Sequence, residues 1–284
     1  MRFAKGHGTG NDFLIVPDPD DELAVTPRLV ASLCDRHTGL GADGILRAVR
    51  TSPGGQPAGA WFMDYRNADG GIAEMCGNGI RVFARYLLDH GLADGPELVV
   101  ATRAGLRRVT EEPGGELTVD MGPAEVLGRS VAVIGGRQHD GLEVSVGNPH
   151  LVCLVDQPVS GIDLSQPPLV DPARFPDGAN VEVVRVLGPG ILEMRVHERG
   201  SGTTLSCGTG AVAAAVAART ELDSNSGIAA STWTVRVPGG VLTVTLAEAT
   251  SLLTGPAVIV AEGDVDEAWL SDPAGLPAAT SMHS

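Results

Sequence analysis

The chain repeats itself. Cys76-Gly77-Asn78-Gly79 returns 131 positions later as Cys207-Gly208-Thr209-Gly210, and each stretch opens a run of helix-forming residues. Two further landmarks follow both copies: Ala104-Gly105 is answered by Gly239-Gly240, and Gly122-Pro123 by Gly255-Pro256, at offsets of 135 and 133. A nearly constant offset across three landmarks predicts two halves descended from one unit.

Local patterns agree with a duplicated α+β fold. After Gly79, apolar residues at Ile80, Phe83, Ala84, Leu87 and Leu88 fall on one helical face, and Gly91 supplies a C-terminal stop. Residues 211–218 are apolar all round, which predicts a helix buried on every side. Short β runs separated by turn residues are expected at 97–102, 117–121, 181–186, 192–196 and 232–237. The expected architecture is two pseudo-symmetric halves, each a mainly antiparallel sheet wrapped around a central helix. Residues 1–122 would form the N-terminal half, completed by the C-terminal segment 262–284, and residues 123–261 the C-terminal half. Both helix N-termini, and so both cysteines, would point into an active-site cleft between the halves.

Composition narrows the function classes. Hydrophobic residues at 43% and charged residues at 19% describe a globular protein, and 284 residues suffice for one large domain or two ordinary ones. A formal net charge of −15 argues against a nucleic-acid phosphate surface, which needs clustered Lys and Arg. No secretory signal pattern is seen at the start, and the apolar run 211–218 is far shorter than the roughly 20 residues that span a bilayer. Four cysteines without a CxxC pair indicate neither a zinc site nor a disulfide scaffold. The expected protein is cytoplasmic, with no metal, no cofactor, no nucleic acid and no membrane partner.

The cysteines carry the chemistry. A thiol at a helix start sits among backbone N–H groups that lack intrahelical partners, and that setting is expected to draw its pKa from about 8.5 toward neutrality. Two such thiols on matching arms suggest a pair facing each other across one substrate. Cys34 and Cys153 lack this context and read as core residues, while Asp43 and Asp69 read as turn or cap residues. The glycine string from Gly6 is not a dinucleotide loop, because Asn11 stands where GxGxxG requires glycine.

In order along the chain, GTGNDF at 8–13, GLGADG at 39–44, NADG at 67–70, CGNG, GNPH at 147–150, ERG at 198–200 and CGTG resemble the diaminopimelate epimerase family. The resemblance implies a cofactor-independent isomerase of lysine and peptidoglycan-precursor synthesis. Its substrates would be LL-2,6-diaminopimelate and the meso isomer, interconverted by a two-base proton transfer. It implies Cys76 and Cys207 as base and acid, with His150 and Glu198 assisting the cysteine proton relay; inverting a carbon centre without a cofactor needs a base on one face and an acid on the other, and thiolate and thiol exchange those roles when the proton crosses. On the same basis, backbone N–H groups at Gly77, Asn78, Gly208 and Thr209 would hold the α-carboxylate as negative charge builds beside it. Asn11, Asn67, Asn148, Asn180 and Arg199, with Glu198, would bind substrate. Arg199 would be the fork for the distal carboxylate, since guanidinium grips carboxylate through two parallel hydrogen bonds. A homodimer is expected on the same basis. Two positions depart from a familiar form of the family: Gly44 where Gln occurs and Thr203 where Glu is usual, which removes one substrate contact and changes the hydrogen bonding near Cys207.

Three other readings stay open from sequence. One is another cysteine-pair racemase, of the proline or hydroxyproline type, or an epimerase relative that acts on a different amino acid. Another is a cysteine hydrolase, which leaves the second thiol unexplained. The third is a redox-sensing or ligand-binding protein whose two cysteines form a switchable disulfide.

Overall fold

The computed structural model describes residues 1–51, 60–226 and 231–271. Strands dominate. The N-terminal run is β1 (Arg2–Gly8), β2 (Asn11–Pro17), β3 (Gly44–Arg50), β4 (Trp61–Asn67), β5 (Glu97–Thr102), β6 (Gly105–Glu111) and β7 (Leu117–Gly122). A second run follows as β8 (Glu125–Ile134), β9 (Arg137–Ser145), β10 (Pro149–Leu154), the two-residue β11 (Leu169–Val170), β12 (Asn180–Gly188) and β13 (Ile191–Glu198). It ends with the short β14 (Gly202–Thr204), β15 (Thr232–Val237), β16 (Gly240–Leu246), β17 (Ser251–Gly255) and β18 (Val258–Asp264). Helices are α1 (Pro27–Cys34), α2 (Gly77–Asp89), α3 (Gly208–Ser226) and α4 (Glu267–Ser271).

The internal symmetry is written in the ladders. One set runs β18–β1–β2–β3–β4–β5–β6–β7, antiparallel throughout except for parallel pairs at β2/β3 and β4/β5. The other runs β8–β9–β10–β12–β13–β15–β16–β17, antiparallel except at β10/β12 and β13/β15. Parallel pairs thus fall at the same two steps in both, and the two sets join where β7 pairs antiparallel with β17. The α+β duplication expected from sequence is the observed fold. β18 returns to pair with β1, and Val265, Trp269 and Leu270 pack beside Leu14, Val16 and Val30. Of the C-terminal segment 262–284, residues 272–284 lie outside the described residues.

Each set encloses one helix at the corresponding point of the chain. Ile80, Phe83, Ala84 and Leu87 on α2 are fully buried, and Gly91 at φ +60° closes its C-terminus. On α3, residues 211–218 are all buried, with Val216 the most exposed at 4%. A helix without a polar face can only sit inside a sheet, and each fully buried valine there contributes about 1.5–3 kcal/mol of apolar transfer. Both helices join one continuous core with Phe13, Met63, Val119, Trp233 and Leu253. Cys34 and Cys153 are buried in core clusters, as expected.

Candidate active site

Each cysteine caps its helix in the same way. Cys76 has extended backbone (φ −136°, ψ 123°), its Sγ accepts the Gly79 N–H at 3.4 Å, and its carbonyl accepts the Ile80 N–H at 2.9 Å. At Cys207, Sγ accepts the Gly210 N–H at 3.4 Å and the carbonyl accepts the Ala211 N–H at 2.9 Å. Sulfur therefore stands where Ser or Asp oxygen normally caps a helix, at the positive end of the helix dipole. The two helices meet end to end, with Gly77 against Gly208.

Both cysteines line one cavity of about 380 Å³, and so do Asn11, Asn67, Gly77, Asn78, Asn148, Asn180, Glu198, Arg199, Gly208 and Thr209. His150 is the exception among the residues expected from sequence: it is fully buried and reaches the wall only through Asn148, whose Oδ1 accepts from its Nε2 at 3.0 Å. Matching ladders explain the gathering. Phe13 pairs with Gly44 and Gly44 with Asn67, while His150 pairs with Asn180 and the ladder beside it carries Glu198. Asn148 thus occupies in the second set the place of Asn11 in the first, Asn180 that of Gly44, and Glu198 that of Asn67.

Most of these side chains are already held. Asn11 Nδ2 donates to Asp43 Oδ2 at 2.6 Å, and its Oδ1 accepts from Asn78 Nδ2 at 3.3 Å and lies 3.7 Å from Cys76 Sγ. Asn78 Nδ2 also donates to the Ser206 carbonyl at 3.0 Å, tying the start of α2 to the residue before Cys207. Asn180 Nδ2 donates to the Pro149 carbonyl at 3.2 Å, and its Oδ1 accepts the Arg199 N–H at 3.0 Å. The Arg199 guanidinium has no ion-pair partner among the described residues. Asp69 accepts the Gly71 N–H at 2.7 Å, the turn role expected of it, whereas Asp43 does more than close a turn because it anchors Asn11.

The electrostatics correct one expectation. The helix ends do not bring the thiols toward neutrality. Burial pushes Cys76 up to about 11, against the opposing pull of the Gly79 N–H and the buried Arg81 guanidinium. Burial lifts Cys207 well above the ordinary thiol range, and the carboxylates of Glu198 and Glu182 add to it. Burial likewise raises the Glu198 carboxyl, which accepts a hydrogen bond from Thr204. One helix end presents only about half a unit charge, and at this depth that is less than the cost of removing a thiolate from water.

Several residues of the site escaped the sequence reading. Tyr65 and Arg107 line the cavity. Tyr65 accounts for Gly44: a β-carbon at Gly44 would stand 2.9 Å from Tyr65 Cε2 and 2.5 Å from the Arg66 carbonyl oxygen, so no side chain fits there. Glu182, fully buried, lies 2.7 Å from His150 Nδ1. A signal for it existed, since Glu182 interrupts the apolar run Val181, Val183, Val184 on the same strand face as Asn180. At the other departure, Thr203 turns its hydroxyl to the Leu164 carbonyl at 2.7 Å, and Thr204 is the residue that bonds Glu198.

Solved structures share this fold. A probable proline racemase from Agrobacterium radiobacter K84 superposes with a TM-score of 0.67 at 15% identity, covering 94% of this chain and 93% of that one. A PhzF-family phenazine biosynthesis protein from Bacillus anthracis gives 0.69 at 15% identity, covering 93% and 98%. The family model described as diaminopimelate epimerase matches residues 3–127 and 142–260. With that match beside the fold, the protein is an isomerase of the racemase and epimerase class. The diaminopimelate epimerase of Thermobifida fusca (strain YX) is 56% identical over 93% of this chain and 98% of its own length. That of Mycolicibacterium smegmatis is 50% identical over 97% of this chain and its whole length. The chain belongs to the diaminopimelate epimerase family.

Proposed function

We propose that this chain interconverts LL-2,6-diaminopimelate and meso-diaminopimelate, with Cys76 and Cys207 as the two bases. The observation that carries the assignment of the bases is the pair of cysteine caps on abutting helix ends, opening into one cavity. A substrate α-carbon between the sulfurs would lose its proton to one and gain a proton from the other on the opposite face. Gly77, Asn78, Gly208 and Thr209 line the cavity, and their backbone N–H groups would hold the α-carboxylate as it takes up carbanionic charge. Both thiols rest protonated, so one must give up its proton before it can act, and Glu198 is the acceptor beside Cys207. The α-ammonium group of the substrate favours that step, because a cation near a thiol stabilises its thiolate. Asn148 and Asn11 flank the reacting centre as counterparts. Asn67, Asn180 and the unpaired Arg199 receive the distal amino-acid terminus, Arg199 through a bidentate grip on its carboxylate. His150 acts through Asn148.

The same reading keeps the division expected from sequence, a half at residues 1–122 completed by the C-terminal segment 262–284 and a half at 123–261. It includes a homodimer in the cytoplasm. No described helix is long and apolar enough to cross a membrane.

Incubating reduced protein with LL-diaminopimelate in D₂O tests the activity. Meso product carrying deuterium at a single α-carbon is the expected result. Unchanged LL-diaminopimelate, alongside turnover of a monocarboxylic amino acid, would replace the substrate assignment.

A further inference from the structure

The second set of strands buries a pair of ionisable side chains that the two-base chemistry does not use directly. Glu182 on β12 and His150 on β10 are both fully buried, with Oε1 and Nδ1 2.7 Å apart. β10 and β12 run parallel, with His150 opposite Asn180 and Val152 opposite Glu182. The first set has no counterpart: its corresponding strands place Phe13 and Leu46, both fully buried and apolar. The pair is therefore an addition to the Cys207 side of a symmetric site, and a costly one, since two ionisable groups are withdrawn from water.

Its hydrogen bonds lead to Cys207. His150 Nε2 donates to Asn148 Oδ1 at 3.0 Å, and Asn148 Nδ2 donates to Thr209 Oγ1 at 3.4 Å. Thr209 Oγ1 lies 3.5 Å from Cys207 Sγ. Oδ1 can only accept, so Nε2 carries a hydrogen. Having accepted from Asn148, the threonine hydroxyl has its own hydrogen free to point at the sulfur. Every donor in this chain is directed toward Cys207. At the other end, Glu182 sits against the first turn of α3: a β-carbon on Gly210 would stand 2.7 Å from Glu182 Oε1. The positive end of a helix favours carboxylate over carboxylic acid. An ionised Glu182 requires the hydrogen between them to reside on Nδ1, which makes the ring an imidazolium.

We propose that Glu182 is a positioning residue for the reaction: it holds His150 as an imidazolium, and His150 through Asn148 and Thr209 presents an O–H donor to the sulfur of Cys207. The proposal rests on the assignment of Cys207 as one of the two bases. The donor supports Cys207 whenever it is the thiolate. The imidazolium also balances the Glu182 charge that would otherwise oppose that thiolate. No proton leaves the pair during the reaction. Its task resembles that of a buried acid that fixes the ring of a catalytic histidine, one residue further from the chemistry.

The test joins spectroscopy and kinetics on the full chain, wild type against Glu182→Gln, which conserves shape and removes the charge. With ¹⁵N-labelled histidine in the substrate-free protein at neutral pH, both nitrogens of His150 should show protonated-type shifts, the signals being identified by their loss in His150→Gln. In Glu182→Gln one of the two should become unprotonated. With diaminopimelate, kcat of Glu182→Gln should fall at least about tenfold while KM stays within about twofold. A bare nitrogen on His150 in the wild type overturns the proposal, and so does wild-type kcat in a folded Glu182→Gln protein. If Glu182→Gln does not fold, the wild-type spectrum alone decides. The spectrum needs no substrate, so the result stands apart from whether diaminopimelate is turned over.

Discussion

Gly77 and Gly208 touch where the two helix ends meet. A β-carbon on Gly208 would stand 3.0 Å from Gly77 Cα, and one on Gly77 would stand 3.3 Å from Gly208 Cα. The contact is backbone against backbone, so neither partner can turn away as a side chain would. It sets the separation of the two cysteine caps, each one residue upstream. Glycine follows each cysteine for this reason as well as for access to substrate.

Gly208→Ala should therefore separate the caps. The added methyl also meets Leu253 Cδ2 at 2.9 Å. We expect a loss of about 1–3 kcal/mol in urea unfolding, the usual cost of overpacking. We also expect kcat to fall at least about tenfold, since a displacement near 1 Å can cost about a hundredfold. Full activity in Gly208→Ala would show that the contact does not set the spacing.

Cys76→Ala and Cys207→Ala should each abolish epimerisation and leave the fold intact, because each removes a single sulfur from a cavity wall. One base survives in each variant. Deuterium exchange at the α-carbon of a single diaminopimelate isomer is the expected residual activity, read by mass spectrometry of recovered substrate. Exchange from both isomers in either variant would contradict a two-base arrangement.

Burial places Cys76 at about 11, and the thiolate is the form that alkylates. Below that value the thiolate fraction grows about tenfold per pH unit. Iodoacetamide should accordingly modify Cys76 in substrate-free protein about ten times faster near pH 9 than near pH 8, with no plateau below about pH 10. Peptide mapping measures the rate at this residue alone. A plateau near neutrality would mean that the helix end outweighs burial.

Arg199→Lys keeps the charge but loses the planar fork. KM for diaminopimelate should rise several-fold, about 1 kcal/mol or more for one charge-assisted hydrogen bond. The Asn180 bond to the backbone N–H of residue 199 does not depend on the side chain, so kcat should change less. An unchanged KM would remove Arg199 from the distal carboxylate.

The duplication, the two central helices and both cysteine caps were legible in the residue order, because each rests on local rules. Helical periodicity marks α2, the absence of any polar face over 211–218 marks that part of α3 as enclosed, and a cysteine before glycine marks each helix start. The five short β runs set off by turn residues all fall within observed strands. What distinguishes one half from the other lay beyond that reach. Glu182 reads locally as one charge in an apolar strand, and only the parallel pairing of β10 with β12 sets it against His150. Tyr65 fills the space left by Gly44 only because β3 and β4 pair in that register. The thiol energetics likewise turn on enclosure: a helix end can be read in sequence, but the depth at which neighbouring strands bury it cannot. Contacts between residues distant in the chain depend on register and burial, and those emerge when the whole sheet closes.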